Sequence, residues 1–305
     1  MAALDDHTRN PAPESGVAPP VGEAALQPPS FHKVPFEASC PHCRGEVTGT
    51  DGRATSADWA FVDAAYCISL SERPDRTALA AAEFHRTGLC QRVLFHRPGR
   101  HPHQVIAGIW EAHRTVALHA LARGAETALI LEDDVIFTRR ITSRRLARVR
   151  RAMAGLPAGW SIFFLGHWPL RARFVVADVL ATRSACAHAY VASATLLRWL
   201  EAHPFERRGT AYDKRAGGGI DAAYAMRGGT YAYFPMLAIQ AMRGSDHLAH
   251  KKATRPVKKL RHLVTRTALG EVLLSRLMRT NEFLIAAIGA AAGAVERLGA
   301  GRRDT

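Results

Sequence analysis

The sequence has few cysteines and no long apolar segment. Its five cysteines, at positions 40, 43, 67, 90 and 186 of 305 residues, are too few and too unevenly spaced for a disulfide framework. The longest uninterrupted apolar run, Phe283 to Val295, has 13 residues, whereas a membrane-spanning helix needs about 18 or more. The acidic N-terminus also lacks the basic and apolar regions of a secretory signal. These absences favour a globular, cytoplasmic protein.

Lysine is scarce too, although the chain is strongly basic. Only six of the 41 basic residues are Lys, and the formal net charge is +14. Residues 243–279 carry ten basic and two acidic side chains, which suits a solvated helix face, an anionic lipid surface or nucleic acid. No helix-turn-helix, RRM, KH or zinc-finger signature occurs, and aromatic residues are not interleaved with the basic ones. We therefore expect no nucleic-acid partner.

Composition divides the chain into three regions. We interpret residues 1–57 as a disordered Pro/Ala-rich tail that contains a lone CxxC, Cys40-Pro-His-Cys43. This is half of a zinc knuckle without a second CxxC at a suitable distance, so zinc binding stays open. Residues 58–247 form the predicted folded domain. Residues 248–305 are predicted to be a basic, amphipathic helical region that contacts an anionic membrane surface through residues 250–295.

In the predicted domain, short apolar runs alternate with amphipathic stretches, which is typical of an α/β fold. The run Thr127–Leu131 is long enough for a buried parallel strand. Predicted strands cover residues 61–70, 89–96, 127–131, 160–165, 187–192 and 230–239, and predicted helices cover 76–86, 104–123, 142–154, 194–202 and 219–226.

Three acids, Glu132, Asp133 and Asp134, follow the strand at 127–131 directly. Ligands of open α/β sheets bind outside the carboxyl ends of the strands. Adjacent carboxylates raise each other's pKa values, and a divalent cation removes that conflict. Because Mn²⁺ and Mg²⁺ commonly join one or two carboxylates to a substrate diphosphate, the cluster predicts either a metal-nucleotide site or a solvated acidic loop.

The sequence lacks the motifs of three other classes of phosphate-binding enzyme: P-loop, Rossmann dinucleotide-binding and haloacid-type enzymes. There is no GxxxxGK[ST] loop and no GxGxxG turn after the first strand. A haloacid-type hydrolase needs an Asp nucleophile where this chain has Glu132. A metal-dependent transferase that uses a nucleoside-diphosphate donor remains.

Several segments, in order along residues 58–247, resemble glycosyltransferase family 25, the lipopolysaccharide and lipooligosaccharide galactosyltransferases. Ser69, Ala112 and His247 depart from the family pattern, which usually has Asn, Ser and Ile at these places. The segments are AYCISLSERPDR (65–76), GIWEAHRTVALHALARGAETALILEDDVIF (108–137), AHAYVASATLLRWLEAHPF (187–205), GGGIDAAY (217–224) and the YFPMLAIQ and GSDH parts of 233–247.

The resemblance implies a GT-A-like nucleotide-sugar-binding fold with a mixed, mostly parallel sheet. It implies transfer of a hexose, galactose in this family, from a UDP-sugar to a lipopolysaccharide-core or other glycan or lipid-linked acceptor at the inner face of the cytoplasmic membrane. Mn²⁺ or Mg²⁺ would be held by Asp134 and Glu132, with Asp246 and His247 as further ligands. Glu132 would also contact the donor.

The same resemblance implies roles for five other residues, and four of these have a simpler alternative. Arg73 and Arg76 would hold the donor with forked hydrogen bonds, or would be merely solvated. Asp221 would be the catalytic base, or the N-cap of the helix that follows it. Asp133 is the second candidate catalytic carboxylate. His113 supports donor binding, or is a hydrogen-bonded core residue.

Two other classes of function stay open. A catalytically degenerate transferase fold that binds a membrane surface or a protein partner is compatible with the departures at Ser69 and Ala112. A basic nucleic-acid-binding protein is the third alternative, and its affinity would fall steeply with salt.

Overall fold

A mixed seven-stranded sheet lies at the centre of the structure, a computed structural model that describes residues 29–49, 51–102, 104–138, 141–205, 219–241, 276 and 280–289. Two further short strands pair with each other in a separate sheet. The strands are β1 (Phe31–Lys33), β2 (Ala64–Ile68), β3 (Val93–His96), β4 (Thr127–Glu132), β5 (Val135–Phe137), β6 (Ile162–Val176), β7 (Val179–Ser193), β8 (Thr230–Tyr233) and β9 (Ala238–Gln240).

The large sheet has the order β1-β3-β2-β4-β7-β6-β8. Strand β2 pairs in parallel with β3 on one side and with β4 on the other. Strand β7 pairs antiparallel with β4 and with β6, and β8 lies parallel to β6. The α/β class with a mixed sheet is therefore confirmed.

Helices cover both faces of this sheet. Pro74 stands at the first position of α1, where its fixed φ favours helix initiation. Gly88 ends this helix in the left-handed conformation, and a Cβ there would lie 2.9 Å from the carbonyl carbon of Thr55. The helices are α1 (Pro74–Thr87), α2 (Val105–Ala122), α3 (Ser143–Ala154), α4 (Ala194–Ala202) and α5 (Ile220–Met226), with a short 3₁₀ helix at Ala57–Trp59.

Strand β4 is covered on both faces of the sheet, which is why residues 127–131 form a continuous apolar run. Leu129 and Leu131 pack into a core that includes side chains of α1 and α3. Ala128 and Ile130 point to the opposite face and pack into a core that includes side chains of α2, α4 and α5. Because successive side chains of a strand alternate between the faces, a strand covered on both faces is apolar throughout.

Each strand and helix predicted between residues 58 and 247 has a counterpart in the structure, but several boundaries differ. The predicted strands 160–165 and 187–192 are parts of two 15-residue strands, β6 and β7, whose distal halves carry Arg and other polar side chains. The predicted strand 230–239 is divided into β8 and β9 around the Phe234–Pro235 bond. Strands β1 and β5, which have only three residues each, have no counterpart among the predicted strands.

The prediction of a disordered tail over residues 1–57 is wrong for residues 29–49 and 51–57. Strand β1 pairs antiparallel with β3, with Phe31 opposite His96. Val34, Cys40 and Ala54 are buried in the core that contains α1. The prolines of this segment therefore do not prevent it from packing on the domain, and residues 1–28 lie outside the described residues.

The C-terminal helical segment, residues 280–289, packs on the domain through buried side chains. Glu282 and Ala286 are fully buried. A Glu282 carboxylate oxygen lies 2.8 Å from His167 Nε2, and the other accepts the Met236 N–H at 3.2 Å. Phe283 and Ile288 are exposed.

Residues 242–275 and 290–305 lie outside the described residues, so most of the predicted membrane-binding region does too. Among the helices that are described, none is both long and apolar enough to cross a membrane.

We expect Glu282→Ala to lower the free energy of unfolding by about 3 kcal/mol, because it leaves two buried partners without their acceptor. Urea denaturation followed by circular dichroism measures this change. Leu284→Ala, at a 53% exposed position of the same segment, is the matched control and is expected to change stability by no more than about 0.5 kcal/mol. Equal effects of the two substitutions would show that Glu282 does not hold the segment to the sheet.

Candidate functional site

The strand order reverses its direction at β2, and a cavity opens there. The chain passes from β2 through α1 to β3 on one side, then through α2 to β4 on the other side. The carboxyl ends of β2 and β4 therefore border the crevice in which open α/β sheets bind their ligands. The cavity has a volume of about 300 Å³ and is lined by both strand ends, by residues 98–101 after β3 and by the starts of α2 and α5.

Glu132, Asp133 and Asp134 all line this cavity. Arg76 of α1 forms ion pairs with both Asp133 and Asp134. Arg76 Nη1 lies 3.1 Å from Asp133 Oδ1, and Nη2 lies 2.9 Å from Asp134 Oδ2. The Arg76 side chain is 14% exposed and both aspartates are 8% exposed. Ser69 Oγ donates to Asp133 Oδ2 at 2.9 Å. The forked guanidinium thus fixes two neighbouring carboxylates at once.

Asp134 has one carboxylate oxygen without a partner. Its Oδ2 accepts from Arg76 and from Gln240 Nε2, at 2.9 and 3.1 Å. Its Oδ1 is buried and has no hydrogen bond. Burial, followed by the charge of Glu132, raises the pKa of Asp134 to about 7. Burial, followed by the charge of Asp221, raises the pKa of Glu132. The cavity therefore contains more carboxyl groups than its positive charges and hydrogen-bond donors compensate. A bound cation would supply the missing compensation.

Asp221 lies across the cavity, near the start of α5. Gly219 occupies the N-cap position, so the N-cap alternative for Asp221 is wrong. Instead, Asp221 Oδ1 accepts the N–H of Ala187 in β7 at 2.8 Å. This bond orients the carboxylate into the cavity that Glu132, Asp133 and Asp134 line.

His113 combines the two alternatives of the sequence analysis. It is a buried residue of α2, and its Nδ1 lies 2.8 Å from Tyr190 Oη, which in turn lies 2.8 Å from Tyr224 Oη. It also lines the cavity, with Nε2 3.7 Å from Glu132 Oε1. Burial lowers the pKa of His113 to about 4, so the ring is neutral near pH 7. We infer that it is a neutral neighbour of Glu132 rather than its counter-ion.

The two arginines of the predicted donor site have different surroundings. Arg76 contacts the acids, whereas Arg73 forms a forked ion pair with Asp75, at 3.0 and 2.9 Å. Among the described residues that line the cavity, Arg76 is present and Arg73 is not. The predicted further metal ligands Asp246 and His247 lie outside the described residues.

Sequence reasoning missed several cavity residues. Gln240 of β9 lies in one of the family-like segments, where no pattern marks it as a site residue, and it donates to Asp134. Ser69 counted only as a departure from the family pattern, and its hydroxyl holds Asp133. Arg100 lines the cavity without any motif that marks it. The apolar rim includes Val105 and Ile109, both 37% exposed, whose helical spacing alone indicated a core-facing helix.

Comparison with solved structures gives distant similarities, including two at 9% and 12% sequence identity. No family model and no curated protein matches the sequence. A glycosyltransferase involved in the glycosylation of the major capsid of PBCV-1 matches at 9% identity with a TM-score of 0.39, over 60% of this chain and 96% of that one. The STIV protein A197 matches at 12% identity with a TM-score of 0.33, over 55% and 80%. Similarities at this level carry no argument about activity, and neither points to family 25 in particular.

We expect the buried charge of Asp134 to destabilise the metal-free protein at neutral pH. In the folded protein the carboxyl group of Asp134 keeps its proton up to about pH 7. In the unfolded chain the same group loses its proton near pH 3.9. Between these values the folded state binds more protons, so this contribution to stability falls as pH rises and levels off above about pH 7. Asp134→Asn is therefore expected to raise the free energy of unfolding by about 1–3 kcal/mol at pH 8, and by about a third of that at pH 5.

Urea denaturation in the presence of a chelator measures both values. Asp51→Asn, at an exposed position, is the control and should change stability little at either pH. A loss of stability in Asp134→Asn at pH 8 would show that the contact with Arg76 outweighs the cost of burial.

Proposed function

We propose that this protein is a metal-dependent glycosyltransferase that moves a hexose from a nucleoside-diphosphate sugar to a glycan or lipid-linked acceptor. One observation carries the proposal: four carboxylates, Glu132, Asp133, Asp134 and Asp221, line one cavity at the point where the strand order reverses. UDP-galactose as donor and a lipopolysaccharide core as acceptor are supported by the sequence resemblance to family 25.

The residues present fit a divalent cation. The acids supply oxygen ligands, which Mn²⁺ and Mg²⁺ prefer. Asp134 Oδ1 is buried without a hydrogen bond, and the four acids exceed the two arginines, Arg76 and Arg100, that line the same cavity. Asp134 and Glu132 would hold the ion. When bound, such an ion offsets the negative charge of the diphosphate as the nucleotide leaves.

The protein's own groups would bind and orient the two substrates. Arg76, which two aspartates hold in place, would present a fixed positive charge to the diphosphate of the donor. The apolar rim at Val105 and Ile109 would contact the nucleoside and exclude water. Asp221, oriented by the N–H of Ala187, would accept the proton of the acceptor hydroxyl as it attacks the anomeric carbon. In this proposal Asp133 keeps Arg76 in place.

We expect UDP to bind the wild-type protein in the presence of Mn²⁺, and at least about tenfold more weakly without the metal or in Asp134→Ala, because a ligand oxygen is then missing. Isothermal titration calorimetry measures these affinities. Asp75→Ala removes an exposed carboxylate of α1 that does not line the cavity, and it should bind UDP like the wild type. If the folded protein binds neither UDP nor other nucleoside diphosphates with Mn²⁺, the proposal is wrong.

We expect Asp221→Asn to lower kcat by about 100-fold or more while the Kd of UDP changes less than threefold, because a general base acts in proton transfer. Release of UDP from UDP-galactose, with a lipopolysaccharide core or water as acceptor, measures kcat. Asp51→Asn is the control for the loss of a carboxylate elsewhere. An equal loss of UDP affinity and of kcat would make Asp221 a binding residue instead.

A second candidate, a catalytically degenerate transferase fold that binds a membrane or a partner, is favoured by one observation. Arg76 already contacts two of the acids, so an internal cation partly replaces a metal. The same calorimetric titration separates the two candidates. A peripheral position at the inner membrane face is supported by the basic stretch 250–266 and by the exposed Phe283, Leu284 and Ile288.

A further inference from the structure

Four potential metal ligands converge at the C-terminal end of α1, whereas Arg76 and the acidic cavity lie at its N-terminal end. They are Cys40, Cys43, His85 and Cys90, and their ligand atoms all lie within 4.8 Å of one another. Throughout the part of the chain that the structure describes, no other group of three or more His, Cys, Asp or Glu residues is this close. The cluster has no role in the proposed transfer reaction.

Two distances from Cys43 within the cluster are close to the edges of a zinc coordination tetrahedron. Bonds of about 2.3 Å to sulfur and about 2.0–2.1 Å to nitrogen give edges of about 3.8 Å between two sulfurs and about 3.6 Å between sulfur and nitrogen. Cys43 Sγ lies 3.7 Å from Cys90 Sγ and 3.4 Å from His85 Nδ1. A single ion at the centre would therefore require only small movements of these side chains.

The first two ligands are held in a tight turn. The N–H of Arg44 donates to the carbonyl of Cys40 at 3.2 Å, and the N–H of Cys43 points to Cys40 Sγ at 3.4 Å. Gly45 follows with φ +74°, a conformation that few other residues adopt without strain. Backbone N–H groups aimed at sulfur are suited to thiolate ligands, because they stabilise the negative charge.

The other two ligands depend on the way α1 ends. His85 lies in its last turn, and Gly88 stops the helix in the left-handed conformation. The next two N–H groups, of Leu89 and Cys90, then bond back to the carbonyl of Phe84, at 3.0 and 3.2 Å. This reversal brings Cys90 beside His85, and the pair completes the set that Cys40 and Cys43 begin.

We propose that Cys40, Cys43, His85 and Cys90 bind one Zn²⁺ ion in a structural site that fastens the N-terminal segment to α1. Three thiols and one imidazole are a soft donor set that zinc prefers, and four protein ligands leave no open position for a substrate. Cys40 and Cys90 are almost completely buried, at 4% and 6% exposure, as in a closed site. On binding, the three thiols lose their protons to solvent.

The test uses the full-length protein, purified in a reductant and without chelator. Elemental analysis is expected to give one zinc per chain in the wild type. Replacement of the metal by Co²⁺ is expected to give intense visible bands of a tetrahedral ion and near-ultraviolet bands of thiolate-to-cobalt charge transfer. The cobalt spectrum requires no substitution, so it remains informative if the cysteine variants fail to fold.

The variants assign the ligands. Cys43→Ser and Cys90→Ser are expected to lose zinc affinity at least about tenfold in competition with a chromogenic chelator. Two controls should keep one zinc: His42→Gln, which changes a buried residue of the same turn that is not in the cluster, and Asp134→Asn in the acidic cavity. The second control separates this site from any metal bound there.

Three results would overturn the proposal. One is less than about 0.1 zinc per wild-type chain after growth and refolding with zinc. Another is a cobalt spectrum without thiolate bands. The third is a Cys43–Cys90 disulfide that mass spectrometry detects in the protein kept in reductant, since it would remove two ligands.

Discussion

The contact of Arg76 with Asp133 and Asp134 determines how the domain is organised around its cavity. It joins the first turn of α1 to the residues that follow β4, with side chains that are hardly exposed. Burial raises the pKa of both acids, and Arg76 opposes that rise. Without the guanidinium, burial would favour protonated acids, and a protonated acid is a poor ligand for a cation or a diphosphate partner. Arg76 therefore lowers the pKa values that burial raises, but the pKa of Asp134 still reaches about 7, so a bound cation would be needed to keep this acid fully ionised at neutral pH.

Helix α1 links this contact to the rest of the molecule. Its N-terminal turn carries Arg76, and its C-terminal turn carries His85 beside Cys43 and Cys90. Residues 29–49 are distant in sequence from the acids of the cavity. They nevertheless pack on α1, the helix whose Arg76 orients Asp133 and Asp134. An ion at the C-terminal end would hold the position of α1 against the sheet, so the N-terminal segment contributes to the precision of a site that it does not line.

The sequence predicts those parts of the fold whose pattern is local. The run at 127–131 is apolar because β4 is buried on both faces, and that pattern can be read without any knowledge of its neighbours. The position of the three acids follows from the end of that strand. Short elements such as β1 and β5 escape prediction because three residues carry no periodicity, and they form only because a neighbouring strand supplies their hydrogen bonds.

The partners of the acids depend on contacts between distant parts of the chain. Ser69 meets Asp133 across 64 positions, and Gln240 meets Asp134 across 106, so no spacing rule connects them. The same holds for the pairing of Cys43 with His85 and Cys90: a search for a second CxxC fails because the helix end supplies its ligands at a different spacing. The sequence pattern does not distinguish Arg73 from Arg76. In the structure Arg73 contacts Asp75, whereas Arg76 contacts the acids of the cavity.

Arg76 also sets the condition that a metal must meet. It occupies Asp133 Oδ1 and Asp134 Oδ2, and it leaves Asp134 Oδ1 buried without a partner. A cation therefore does not have to displace Arg76, because it can use the oxygen that Arg76 leaves. Asp134 would then serve Arg76 through Oδ2 and the ion through Oδ1, and both positive charges would be available to a diphosphate. This arrangement explains why one arginine is buried among acids that a metal is also expected to bind.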